Sequence, residues 1–178
     1  MNTRIVFMGS PDFALPTLQA LHEHYQVVGV VTQPDRPAGR GRQPQASPVK
    51  QAAQSLGLEV YQPVSLRKPE VLDHLAAWAP DLIVVAAFGQ ILPKAVLDLP
   101  PKGCLNVHAS LLPRWRGASP IQAAIAAGDD HSGVTIMLMD EGLDTGPILS
   151  QRSVPLPFGT TGSQLSKQLA ELGARTLI

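Results

Sequence analysis

Apolar and polar positions follow two rhythms along the chain, and their succession predicts strand and helix in turn. Arg4–Met8 is an apolar run ending at Gly9 and reads as a first strand. After the Ser10-Pro11-Asp12 turn, Leu15, Leu18, Leu21 and Tyr25 recur at helical spacing. Gln26–Thr32, β-branched and apolar, predicts a second strand. Ser47 before Pro48 has the form of an N-cap followed by a first-turn proline, so a helix is expected to about Leu56. A short strand at Glu59–Tyr61 and a helix over Pro69–Trp78 follow. Leu82–Ala87 is a continuous apolar strand of the kind buried on both faces. Leu105–His108 is the next strand, and Ser119-Pro120 repeats the cap-and-proline signal for a helix to Ala127. Gly133–Met139 and Ile148–Val154 read as further strands, and Thr161-Gly-Ser-Gln164 as a capping box opening a last helix. This alternation predicts an α/β fold, a Rossmann-like, doubly wound, mainly parallel sheet with helices on both faces.

Two stretches break the rhythm. Gln33–Ser47 carries Pro34, Pro37 and Pro44, Gly39 and Gly41, and three cations, Arg36, Arg40 and Arg42, against the single acid Asp35. A loop of that length inside a compact domain tends to be functional. It reads either as a solvated linker or as a clamp on a phosphate backbone. At the other end, Thr176-Leu177-Ile178 stops in mid-helical pattern without glycine or proline, which reads as a truncated end.

Length and composition narrow the class. The 178 residues suit one domain, and 44% apolar content supports a core. Fourteen basic residues balance fourteen acidic ones, so no global field draws the molecule to nucleic acid or a membrane, and any such contact must be local. A single cysteine, Cys104, excludes a disulfide framework and a cysteine-based zinc site. The apolar run after Met1 is too short for a signal peptide, and Leu82–Phe88 is far short of a membrane span. A cytoplasmic monomer is expected.

The candidate chemistry lies within residues 103–147. Asn106 and His108 are two apart on a strand, so they share a face, and Cys104 shares it on the same alternation. Asp144 follows another strand in a loop bracketed by Gly142 and Gly146. Each alone has an ordinary structural reading, and their coincidence suggests acyl-transfer chemistry. A dinucleotide site is disfavoured, because Gly9-Ser-Pro-Asp-Phe-Ala14 places proline and aspartate where glycines should let a pyrophosphate approach. His22 and His24 point to different faces of their helix, and no metal site is expected. Trp115 between Arg114 and Arg116 reads as a loop anchor or as a site wall facing an anionic substrate.

Asn106-Val-His108-Ala-Ser-Leu-Leu-Pro-Arg-Trp-Arg-Gly117 and Gly142-Leu-Asp-Thr-Gly146 resemble the signature of the 10-formyltetrahydrofolate-dependent formyltransferases, and the likeness runs over all 178 residues. Gln33-Pro-Asp-Arg-Pro-Ala-Gly-Arg-Gly-Arg42 and Ser47-Pro-Val-Lys50 resemble the insert that the methionyl-tRNA branch places against the acceptor stem. The resemblance implies a catalytic set of Asn106, His108 and Asp144. It implies folate contacts from Ser110, Leu111, Leu112 and Pro113, from Phe88, Gly89, Gln90, Ile91 and Leu92, and from Met139, Asp140 and Glu141. It places Arg36, Arg40, Arg42 and Lys50 against tRNA, and Gly9, Ser10 and Phe13 where the aminoacyl end comes in. The implied reaction takes the formyl group of 10-formyltetrahydrofolate to the amino group of initiator methionyl-tRNA, for translation initiation. Asn106 and His108 would meet charge on the formyl oxygen, and Asp144 would pair with His108 and take the amine's proton. Gln43 stands where some members carry a further lysine, and the carboxyl-terminal barrel with which the branch grips tRNA is not encoded in residues 1–178. Two other readings are a formyltransferase acting on a sugar or ribonucleotide amine, and a non-catalytic folate-binding domain.

Overall fold

The computed structural model describes residues 3–38 and 43–178. Its elements are β1 (Arg4–Gly9), α1 (Leu15–His24), β2 (Gln26–Val31), β3 (Arg36–Ala38), β4 (Gln43–Gln45), α2 (Pro48–Ser55), β5 (Val60–Tyr61), α3 (Pro69–Ala77) and β6 (Leu82–Ala86). They continue through α4 (Lys94–Leu97), β7 (Cys104–His108), α5 (Pro120–Ala127), β8 (His131–Leu138), β9 (Ile148–Pro155) and α6 (Gly162–Leu177). Seven strands form one sheet in the order β5-β2-β1-β6-β7-β8-β9. The pairings from β5 to β7 are all parallel, and β8 and β9 add antiparallel. The expected mainly parallel, doubly wound sheet is therefore what the chain forms. The strand order runs outward from β1 through β2 and then reverses to β6. In such sheets that switch point opens a crevice at the carboxyl ends of the strands.

Local chemistry explains the helix starts. The Ser47 hydroxyl accepts from the Lys50 N–H at 3.1 Å, and Pro48 at the first helical position has no N–H to orphan. Thr161 and Gln164 form the expected capping box, each side chain accepting from the other's backbone N–H. Ser119 does not cap α5 with its side chain. Three short elements, β3, β4 and α4, differ from the sequence expectation. The Arg- and Pro-rich segment holds a two-stranded antiparallel ladder, with Arg36 opposite Gln45 and Ala38 opposite Gln43. The four-residue α4 was too short to show a period.

Side-chain alternation divides the interior into two cores, one on each face of the sheet. Ile5 and Phe7 of β1 join Leu18, Leu21, Val107, Ile121, Leu165 and Leu169 in the first core. Val6 and Met8 join Leu75, Trp78, Ile83, Val85, Phe88 and Cys104 in the second. On β7, Val107 therefore faces the first core, while Cys104, Asn106 and His108 point the other way. The buried Cys104 thiol lies 3.7 Å from the Val96 and Leu97 carbonyls, and burial pushes its pKa up to about 12. A thiol so protonated is not a nucleophile near neutral pH. Among the described residues no helix is long and apolar enough to cross a membrane.

Close packing sets one sequence requirement on the second core. A methyl group added at Gly29 of β2 would lie 2.5 Å from the Trp78 ring. Gly29→Ala is expected to destabilise the protein by about 1–3 kcal/mol, since overpacking forces side chains off their rotamers. Urea denaturation should show a lower midpoint at an unchanged slope. An unaltered midpoint would mean that Trp78 can swing aside without cost.

Candidate active site

A cavity of about 560 Å³ opens beyond the carboxyl ends of β6 and β7. Both cores contribute to its walls. Phe88 and Leu92, continuous with the second core, line it together with Met139. Ile121, a member of the first core, lines it together with Phe13, which packs against that core. Asn106, His108 and Asp144 also line it, so the three expected polar groups meet around one space.

Their geometry assigns atoms. His108 is 6% exposed, and its Nε2 lies 3.0 Å from the Trp115 carbonyl oxygen. A carbonyl only accepts, so Nε2 carries a hydrogen and donates it. The other ring nitrogen, Nδ1, faces Asp144 Oδ2 at 3.7 Å, too long for a direct hydrogen bond. The Asp144 side chain is 12% exposed. Its Oδ1 receives the Asn106 Nδ2 amide at 3.3 Å and its Oδ2 the Gly117 backbone N–H at 2.8 Å. The bond to Asp144 orients the Asn106 amide and leaves the second Nδ2 hydrogen uncommitted.

The loop after β7 supplies both backbone partners. Trp115 sits at φ 60° and Gly117 at φ 94°. Left-handed turns at these points let the Trp115 carbonyl reach His108 while the Gly117 N–H reaches Asp144. The rest of the loop is tied down. The Ser110 hydroxyl donates to the Arg114 carbonyl at 2.6 Å, and the buried Thr135 hydroxyl donates to the Ser110 carbonyl and accepts from the Leu112 N–H. Asp129 receives Arg114 through both guanidinium arms, at 2.6 and 3.0 Å, and the Trp115 indole N–H at 2.6 Å. Those bonds from Arg114 and Trp115 hold the Asp129 carboxyl below the usual carboxylate range.

The structure gathers some of the residues expected from sequence and sets others apart. Phe88–Leu92 and Met139–Glu141 line the cavity. Within them the Asp140 carboxylate is partly used in shaping its own loop, accepting from the Gly142 N–H and the Thr145 hydroxyl. The Gln90 amide is engaged with the Pro63 carbonyl and the Leu66 N–H. Ser110, Leu111, Leu112 and Pro113 are not among the residues that line the cavity; the Ser110 hydroxyl and the Leu112 N–H and carbonyl brace the loop beside it. Of Gly9, Ser10 and Phe13, only Phe13 lines the cavity. A side chain at Gly9 would meet Ala14 and the Ala86 carbonyl at 2.8 Å, and the Ser10 hydroxyl joins Thr32 and the Gln33 N–H to the Phe88 carbonyl. Arg114 and Trp115 form no site wall, being drawn to Asp129 instead. Sequence reasoning missed Gly117 and the Trp115 carbonyl because their contribution is backbone, and it missed Asp129 because no motif marks it.

Arg40 and Arg42 lie outside the described residues, and Arg36 is described only as the first residue of β3. Lys50 is not a free cation. Its ammonium is 2.6 Å from Asp35 Oδ2, and Gln62 donates to Asp35 Oδ1 at 2.7 Å and to the Gln33 carbonyl at 2.9 Å. These contacts anchor the base of the hairpin to α2 and to the end of β5.

Comparison with known proteins agrees with this geometry. The formyl transferase family model matches residues 3–178, and the chain belongs to that family. It is 58% identical over 176 residues to a methionyl-tRNA formyltransferase of Marinobacter nauticus, covering 98% of this chain and 57% of that one. It is 59% identical over 174 residues to a methionyl-tRNA formyltransferase of Xylella fastidiosa, with the same coverage. The chain thus spans little more than half the length of these curated relatives. Among solved structures, a phosphoribosylglycinamide formyltransferase from Streptococcus pneumoniae superposes with a TM-score of 0.80 at 25% identity, covering 98% of this chain and 94% of that one.

Two measurements test the contacts described. Gly117→Ala should cost about 1–3 kcal/mol of stability, because a side chain is strained at this φ although only Leu143 lies near. Relaxation of the backbone in Gly117→Ala toward ordinary φ should turn the N–H at this position away from Asp144, so Asp144→Ala should cost less in that background than alone; strict additivity in urea midpoints would show that the substitution leaves the bond in place. The second test concerns pH. The bond from Lys50, with help from Gln62, holds the Asp35 carboxyl below its ordinary value. A carboxyl with a depressed folded-state pKa stabilises the fold above its unfolded value of about 3.9 and loses that contribution as pH falls through the folded value. The gap in Tm between the parent and Asp35→Asn at pH 7 should therefore shrink below about pH 4. A gap independent of pH would contradict the pairing.

Proposed function

We propose that the protein transfers the formyl group of 10-formyltetrahydrofolate to the amino group of methionine carried by initiator tRNA, the step that prepares that tRNA for translation initiation. One observation carries the reading. An amide, an imidazole and a carboxylate border a single cavity, with one Asn106 N–H and His108 Nδ1 not held by hydrogen bonds and so available to a reactant. Near-60% identity to proteins named for methionyl-tRNA supports this acceptor over a ribonucleotide amine, for which the structural likeness rests on 25% identity. The arginine-bearing hairpin with its anchored base supports it independently, since a protein of zero net charge needs a local cationic surface to hold RNA.

The chemistry follows from the atoms. The folate donor suits a cavity walled by Phe88, Leu92 and Met139, apolar surface that a flat ring system can cover, with polar loop backbone around it. As the acceptor amine bonds to the formyl carbon, negative charge gathers on the formyl oxygen. The free Nδ2 hydrogen of Asn106, a residue lining the cavity, meets that charge. His108, when doubly protonated, meets it through Nδ1–H, because Nε2–H is spent on Trp115. Asp144 lies beside both donors and accepts the proton shed by the amine. That proton then passes to the departing donor nitrogen as its bond to the formyl carbon breaks. Within this reading Arg36, Arg40 and Arg42 face the acceptor stem, and Lys50 supports them by holding Asp35.

The test offers the protein 10-formyltetrahydrofolate with methionyl-tRNA, a glycinamide ribonucleotide or an amino sugar as acceptor. Formylation of methionyl-tRNA in preference to the other two is expected. Asn106→Ala and His108→Ala should each lower turnover about 100- to 1,000-fold, as the loss of an oxyanion donor typically does, while donor binding persists. Preferred formylation of either small amine would overturn the acceptor, and near-normal turnover of both variants would overturn the catalytic assignment.

A further inference from the structure

The His108 ring is oriented by a backbone carbonyl, and that carbonyl is itself held by a side chain on another element. Asp129 directly follows Gly128, the left-handed cap that ends α5, and its N–H donates to the Ala124 carbonyl at 3.1 Å. The carboxylate is thus mounted on a rigid helix end. From there it takes Arg114 in a two-armed grip and the Trp115 indole N–H in a third bond. The Arg114 guanidinium also stacks over the Trp115 ring, 4.2 Å from its centroid. Three charge-assisted or short hydrogen bonds and a cation–π contact thereby converge on two adjacent residues. The second of these, Trp115, has the left-handed backbone and carries the carbonyl that accepts His108 Nε2–H.

We propose that Asp129 is a positioning residue for the reaction, fixing through Trp115 which nitrogen of His108 faces the reactants. The inference rests on the catalytic reading above. A non-glycine residue at φ 60° costs free energy that surrounding contacts must offset. With its indole and its neighbour's guanidinium released, Trp115 relaxes toward ordinary φ and its carbonyl turns away from the ring. The ring then loses the one partner that requires hydrogen on Nε2. Both neutral tautomers become populated, and Nδ1 is no longer held toward Asp144. The Ser110 hydroxyl alone does not prevent this, because its short bond of 2.6 Å goes to the Arg114 carbonyl and it reaches the Trp115 carbonyl only at 3.5 Å, the weak limit of a hydrogen bond.

The experiment compares the parent protein with Asp129→Asn, Asp129→Glu and Trp115→Phe. Nitrogen-15 spectra report the tautomer of the His108 ring, and its signals are identified among the five histidines by their loss in His108→Ala. Formyl transfer is measured on the same samples across pH. In the parent, neutral His108 should be a single Nε2–H tautomer. In Asp129→Asn and Trp115→Phe the ring should sample both tautomers. Turnover in Asp129→Asn should fall about 10- to 100-fold, the usual consequence of a misplaced catalytic group. The KM for 10-formyltetrahydrofolate should stay within about twofold, since Asp129 is not among the residues lining the cavity. The limb of the pH–rate profile that reports the ring should also move. Asp129→Glu, which keeps the carboxylate, should recover part of each effect. A His108 tautomer and pH profile unchanged in both Asp129→Asn and Trp115→Phe would overturn the proposal. Should Asp129→Asn fail to fold, Trp115→Phe decides, because it keeps the Arg114–Asp129 pair. A parent protein that formylates no amine would count against the catalytic reading alone, and the ring spectra would still decide the role of Asp129.

Discussion

One short turn sets the relation between histidine and carboxylate on which the site depends. The Trp115 carbonyl accepts from His108 and, two residues on, the Gly117 N–H donates to Asp144. The two side chains come from elements far apart in sequence, yet they share this support. A shift of the turn therefore changes both at once. The turn is made possible by two left-handed residues, one of them a glycine and the other a bulky tryptophan whose side chain is held from outside. Rigid support of this kind is what preorganised electrostatic stabilisation requires, because donors that must reorganise during the reaction contribute less.

The sheet places that turn where it can act. Reversal of strand order between β1 and β6 opens the crevice at the carboxyl ends, and β7 beside it delivers Asn106 and His108 to one face. Because that face belongs to the second core, Asn106 and His108 emerge in the same cavity as Phe88 and Leu92. Ile121 and Phe13 close the cavity from the first core.

The repeated strand and helix periods were legible because burial enforces them. Leu82–Ala86 must be apolar throughout to pack on both faces, and Ser47 and Thr161 must accept from exposed helix N–H groups whatever else surrounds them. The pair Asn106 and His108 was legible for the same reason, as strand alternation alone puts them together. The hairpin was not, because Arg36–Ala38 and Gln43–Gln45 are three residues each and hold two prolines, too short and too irregular in sequence to write a period. Nor was the support of the site, since Trp115 and Gly117 act through backbone atoms that every residue possesses. Ser110–Pro113 have a structural part that the motif did not show: the Ser110 hydroxyl and the Leu112 N–H brace the turn that carries the site's backbone partners.

Charge is used locally throughout this neutral chain. Asp35 takes Lys50 and Asp129 takes Arg114, and in each pair the cation is spent on holding a loop. Exposed ion pairs contribute little to stability, about 0–1 kcal/mol. Their value here is geometric. The first anchors the base of the hairpin beside β2 and β5, and the second ties down the strained turn whose carbonyl meets His108. In each case one partner sits on or beside a helix and the other on the loop that it holds: Lys50 of α2 takes Asp35, and Asp129 at the end of α5 takes Arg114.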